Sequence, residues 1–147
     1  GDFMYNEIVD KVAEQLSILF PPEQGYYIYT EAAAQELSSP CFYTGFLETS
    51  EKNTTLAGGY RSSFLYIRYF PGGSEQPSRE IYRVLDILME QRWIITLDHG
   101  FRLNGTGKNG RIEEANGGRF LSFSLQFSTF GIREKSEEEA MEGIEIR

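Results

Sequence analysis

Near its C-terminal end the chain alternates without a break: Leu121, Phe123, Leu125 and Phe127 fall on one side, and Ser122, Ser124, Gln126 and Ser128 on the other. Successive side chains of a strand point to opposite faces, so a period of two marks a strand with one face in a core. Its other face is then wet or covered by a partner. Asn116-Gly117-Gly118 stands before this run. These residues accept positive φ, so 111–115 and 119–129 read as the two arms of a hairpin.

Helical spacing appears twice. Over 3–19, Met4, Ile8, Val12 and Leu16 recur every four residues with Val9, Ala13 and Leu19 beside them, while Glu7, Asp10, Lys11 and Glu14 fall elsewhere. That is the stripe of an amphipathic helix. Asp2 is placed to cap it, Glu7 and Lys11 form a favourable i,i+4 pair, and Pro21-Pro22 stops it. Over 78–92, Ile81, Val84, Leu85 and Leu88 have i, i+3, i+4, i+7 spacing. Ser78 reads as the N-cap of this second helix, and Glu80 lies near the positive end of its dipole.

Runs rich in aromatic and branched residues predict strands at 26–30, 41–49, 60–70 and 93–103. The intervening 31–39 reads as a turn of helix or a loop, 50–59 as a polar hairpin loop, and the glycine-rich 104–110 as a flexible loop. Helix, three strands, helix, three strands is the order of an α+β fold: a mostly antiparallel sheet with both helices packed on one face. Residues 2–133 are expected to form one domain. Segment 134–147 carries six Glu against one Lys and one Arg, so it reads as a flexible acidic tail. Gly1, with no Met before it, reads as a remnant of tag removal.

Composition excludes several classes of function. At 147 residues, 40% hydrophobic and 14% aromatic, the chain can build a core. Its net charge of −8 argues against specific nucleic-acid binding, which depends on clustered Lys and Arg. No apolar run is long enough to span a bilayer and no signal sequence opens the chain, so neither a membrane nor an export route is expected. Cys41 and His99 are the single residues of their kinds. With so few soft ligands no metal and no cofactor is expected. Asp98 beside His99 suggests a dyad, but strand neighbours point apart unless a turn intervenes. Cys41 with His99 as its base would need the fold to bring them together. The run 105–110, Gly-Thr-Gly-Lys-Asn-Gly, lacks the first glycine and the Ser/Thr of a phosphate loop and is followed by a strand. No catalytic residue is assigned. Phe64, Leu65, Tyr66, Ile67, Tyr69 and Phe70 place apolar groups on both faces of one strand. A buried central strand explains this, as does a strand whose outer face meets another subunit.

Four short elements occur in a telling order: Ile28-Tyr29-Thr30-Glu31, Pro40-Cys41-Phe42, Tyr69-Phe70-Pro71, and Glu113-Glu114 followed by the alternating Phe strand. Each is weak alone, but together, over about 3–130, the chain resembles the tail terminator (tail completion) proteins of long-tailed bacteriophages and phage-like prophage elements. The resemblance implies a structural protein and not an enzyme. It would be a ring, usually of six subunits, that caps the tail tube, ends its polymerisation and presents a surface to the head. The implied partners are other copies of the chain, the tail tube protein and the head-tail connector protein. The implied location is the virion tail, assembled in the bacterial cytoplasm. Acidic groups such as Glu113 and Glu114, or those of the tail, are expected to line or border a channel that must not hold DNA phosphates, while Ser122, Ser124, Gln126 and Lys108 are expected at subunit or tube contacts. A head-tail joining or neck protein is the alternative, and a small enzyme is a third reading.

Overall fold

The computed structural model describes residues 4–31, 38–53, 58–73, 75–115 and 117–132. The chain order is α1 (Met4–Leu19), a 3₁₀ turn (Pro22–Gln24), β1 (Tyr27–Tyr29), β2 (Cys41–Asn53), β3 (Gly58–Phe70), α2 (Pro77–Glu90), β4 (Ile94–Thr96), β5 (Arg102–Ala115) and β6 (Gly118–Ile132). The strands form a six-stranded sheet in the order β1-β2-β3-β6-β5-β4. Only β1 and β2 run parallel, so the sheet is mixed and otherwise antiparallel. This is the α+β class, with the expected alternation of helices and strands.

Periodicity decides what lies inside. Leu121, Phe123, Leu125 and Phe127 of β6 are buried beside Leu65, Ile67 and Tyr69 of β3. Against this face lie Ile8, Val12 and Leu16 of α1 and Ile81, Val84 and Leu88 of α2. These are the stripes that helical spacing identified. Their burial is the main favourable term for folding, about 1.5–3 kcal/mol for each large apolar side chain.

Local expectations fared unevenly. Ser78 is not the N-cap of α2. Gln76 occupies that position with Pro77 following, since proline's fixed φ and missing N–H suit the first turn. Ser78 Oγ instead accepts from Arg119 at 2.6 Å. Glu80 does lie in the first turn, where its carboxylate accepts from Tyr69 Oη and from the Gly72 N–H at 3.1 Å, tying the end of β3 to α2. Burial and that carboxylate hold the Tyr69 phenol well above its ordinary pKa. Glu7 and Lys11 do not pair with each other. Both reach the β4–β5 turn, Glu7 accepting from the Asp98 N–H and Lys11 pairing with the Asp98 carboxylate at 3.4 Å. The Asp2 cap, the 31–39 connection over 32–37, and the acidic tail lie outside the described residues.

The largest departure concerns 93–110. The expected strand at 93–103 is broken at Asp98–Gly100, where Gly100 adopts φ +93 and Gly100 N–H donates to Leu97 C=O at 2.8 Å. Two strands result, β4 and the start of β5. The glycine-rich 104–110 is not a loop but the middle of β5, with its register slipped between Thr106 and Asn109. Its glycines allow close approach. A Cβ on Gly105 would stand 2.8 Å from Trp93 Cβ and 3.2 Å from Trp93 O, and one on Gly110 would stand 2.6 Å from Leu85 Cδ1. Gly105→Ala is therefore expected to destabilise by about 2–3 kcal/mol in urea unfolding. Gly110→Ala should cost less, because the end of Leu85 can rotate away.

Candidate assembly surface

Both described helices lie on one face of the sheet, so among the described residues the second face is helix-free. Cross-strand register assigns its rows: Tyr43–Arg68–Ser122–Arg111, then Gly45–Tyr66–Ser124–Asn109, then Glu48–Phe64–Gln126–Thr106. Ser122, Ser124 and Gln126 are half-buried there and lie side by side along β6. Gln126 Nε2 donates to Ser62 Oγ at 3.3 Å, and Thr106 Oγ1 donates to the Gln126 carbonyl at 3.3 Å.

Aromatic side chains pack against one another across this face. Gly45 makes room for Tyr66, whose Oη would come within 3.0 Å of a Cβ at that position. Tyr43 meets the Tyr66 ring edge-on at 5.6 Å, and the Arg68 guanidinium lies 4.3 Å from its centroid. Phe70 stacks on Phe120 at 5.1 Å, and Tyr27 on Tyr29 at 6.4 Å. Tyr66 is thus 8% exposed, covered by its neighbours, whereas Tyr60 and Phe64 are 54% and 37% exposed. Central strand β3 is apolar on both faces, as its sequence indicated, and its helix-free face has only lateral cover.

The remaining candidates separate. Glu113 lies opposite Phe120 on the helix-free face. Glu114 falls on the helix side, opposite Arg119, and forms an ion pair with it at 3.3 Å. The two glutamates therefore do not make one acidic patch. Lys108 is half-buried and bonded within the fold. The bulge at 106–109 turns it towards α2, where Nζ donates to Met89 C=O at 2.6 Å and Gln91 C=O at 2.7 Å. Trp93 Nε1 donates to Leu88 C=O at 3.1 Å, and Gln91 Nε2 to Ile87 C=O at 3.0 Å. The last turn of α2 contains no basic residue of its own. A lysine from β5 supplies the cation that its orphan carbonyls and dipole favour.

No catalytic geometry emerges at the single cysteine and histidine. Cys41 is buried on β2 next to one edge of the sheet, while His99 lies in the β4–β5 turn at the other. Burial pushes the thiol up to about 11, the opposite of nucleophile activation. A turn does intervene at Asp98-His99, yet His99 Nδ1 accepts from the Phe101 N–H at 3.3 Å and Asp98 pairs with Lys11. Among the described residues no cluster of three or more His, Cys, Asp or Glu could hold a metal ion, and no helix is long and apolar enough to cross a membrane.

Residues 7–139 match the family model described as phage tail terminator protein. The chain belongs to the phage tail terminator family. That membership makes it a structural component of a phage virion, in keeping with the resemblance carried by the 28–31, 40–42 and 69–71 elements. A search of curated proteins finds no match.

Two outcomes test this arrangement. Lys108→Met should lower the stability of the terminator by about 1 kcal/mol in thermal or urea unfolding, through loss of the α2 cap. The folded chain also holds the Cys41 proton above the ordinary thiol value of 9.0 and the Tyr66 proton up to about 12. Unfolding releases such protons, so this stability is full below pH 9 and is lost as pH rises. A fall of about 1.4 kcal/mol per pH unit per proton is expected, from pH 9 to about 11 for Cys41 and from pH 10 to about 12 for Tyr66. Cys41→Ala, referenced to its own stability at pH 8, should remove the thiol part.

Proposed function

We propose that this terminator caps the growing tail tube as a ring, usually of six copies, ends tube polymerisation and offers the surface to which the head attaches. The observation that carries the reading is the one-sided fold of a family member. Long central strands present a face that no described helix covers, whose Ser122, Ser124 and Gln126 are polar enough to face water yet flat enough to meet another subunit. In this reading the partners are other copies, the tail tube protein and the head-tail connector protein. Glu113, on the same face, borders the channel, and the net charge of −8 disfavours retention of DNA phosphates. Glu114 instead closes the β5–β6 hairpin.

Removing the gene from its phage or prophage should yield overlong, headless tails. Purified protein added to growing tubes should bind tube ends in electron micrographs and halt their extension. Tails of normal length beside unattached heads would instead indicate a joining protein, and the terminator role would be lost.

A further inference from the structure

The sheet has two long strand edges that no described residue pairs. β1 covers β2 only at Cys41–Tyr43, leaving the edge from Thr44 to Asn53 open. β4 covers β5 only at Arg102–Asn104, leaving the edge from Asn109 to Ala115 open. The two edges lie on opposite sides of the sheet and at opposite ends of it. An unpaired edge is a template for another strand. One copy's β2 edge and the next copy's β5 edge can therefore join antiparallel, because β2 and β5 run in opposite directions within the sheet.

Charge selects the register. On the helix-free face the β2 edge carries Glu48, Ser50 and Lys52, and the β5 edge carries Asn109, Arg111 and Glu113. Glu48 and Arg111 are exposed, and among the described residues neither is in an ion pair. Setting Glu48 opposite Arg111 also places Ser50 opposite Asn109. Shifting by two residues one way opposes Glu48 to Glu113, and by four opposes Lys52 to Arg111. Like charges directly opposite are unfavourable.

We propose that copies of this chain join head to tail by pairing the 44–53 edge of one with the 109–115 edge of the next, with Glu48 facing Arg111. The proposal rests on the ring reading and deepens it by naming the subunit contact. Its geometry closes. Within one copy Arg111 lies level with Tyr43 and Arg68, while Glu48 lies level with Phe64. From Arg68 to Phe64 the step along β3 is about 13 Å, against about 19 Å across the four strand spacings from one copy's β2 to the next copy's β2. The resulting strand tilt is about 35°, within the range at which sheets close into barrels. A heterologous contact of this kind makes rings when its rotation closes.

Charge exchange tests it. Glu48→Arg, Arg111→Glu and the double variant are compared with the unaltered chain by light scattering over a wide concentration range, and by co-sedimentation with tail tubes. Circular dichroism melts check that each variant folds. Each single reversal should weaken association about fivefold or more per contact, and the double variant should restore it. Two weakened singles without rescue, or singles that assemble normally, would overturn the edge pairing while leaving the ring reading intact. Failure of the unaltered chain to assemble either alone or on tubes would overturn both.

Discussion

The pairing of β3 with β6 is the constraint on which the rest of the molecule hangs. Its register runs without interruption from Gly58↔Ile132 to Tyr69↔Leu121, whereas both flanking pairs, β2–β3 and β5–β6, contain a slip. The two strands are far apart in sequence, so the chain must close a long loop, with α2, β4 and β5 inside it, before this ladder forms. What compensates is the apolar row that the ladder assembles: Leu65, Ile67 and Tyr69 beside Leu121, Phe123 and Leu125, all buried. A slip of one residue would turn that row to the helix-free face and bring the serines inwards.

The slips in the flanking pairs re-aim side chains. Between Phe46 and Glu48 the extra residue of β2 leaves Leu47 57% exposed, while Phe46 stays against Tyr5 of α1 at 5.1 Å. Between Thr106 and Asn109, with Gly107 at φ +60, β5 turns Lys108 under the end of α2. A regular strand would leave the Met89 and Gln91 carbonyls without that donor. Bulges of this sort are functional parts of a sheet, and here one supplies the cation that the helix lacks.

What was legible in the sequence follows the strength of each local period. The 3.6-residue stripes of α1 and α2 and the two-residue alternation of β6 report burial directly, so Ile8, Val12, Ile81, Val84, Phe123 and Leu125 were identifiable as core. The order of elements and the Asn-Gly-Gly turn followed from the same signals. The stretch 104–110 was misread because glycine marks a loop by composition but also marks a strand pressed against another backbone, and only the approach of Trp93 and Leu85 distinguishes the two. The break at Asp98–Gly100 was hidden because the largely apolar 93–97 and the Phe101-Arg102-Leu103 that follows it read as one strand. Lys108 looked like a surface residue because its partners lie in another element, and Glu113 and Glu114 looked like a pair because adjacency says nothing about face until a strand is assigned. Gly100 and the missing base in the last turn of α2 were the available clues.

One-sidedness links this fold to assembly. A sheet with helices on both faces is complete as a monomer; one with helices on a single face leaves a row of backbone edges and a flat polar-aromatic surface to be used or protected. Natural edges are commonly blunted by short strands, and β1 and β4, three residues each, do this over part of β2 and β5. They stop short. The open stretches carry no proline, and they bear charges of both signs in place of the uniform lysines that would repel a second chain. Edges left open in this way, at opposite ends of opposite borders, are offset in the sense a tilted ring requires. Isologous pairing of β2 with β2 would instead leave every β5 edge open. The proposed asymmetric join satisfies both borders with one contact per neighbour, as the proposed ring would need in order to leave no edge for growth.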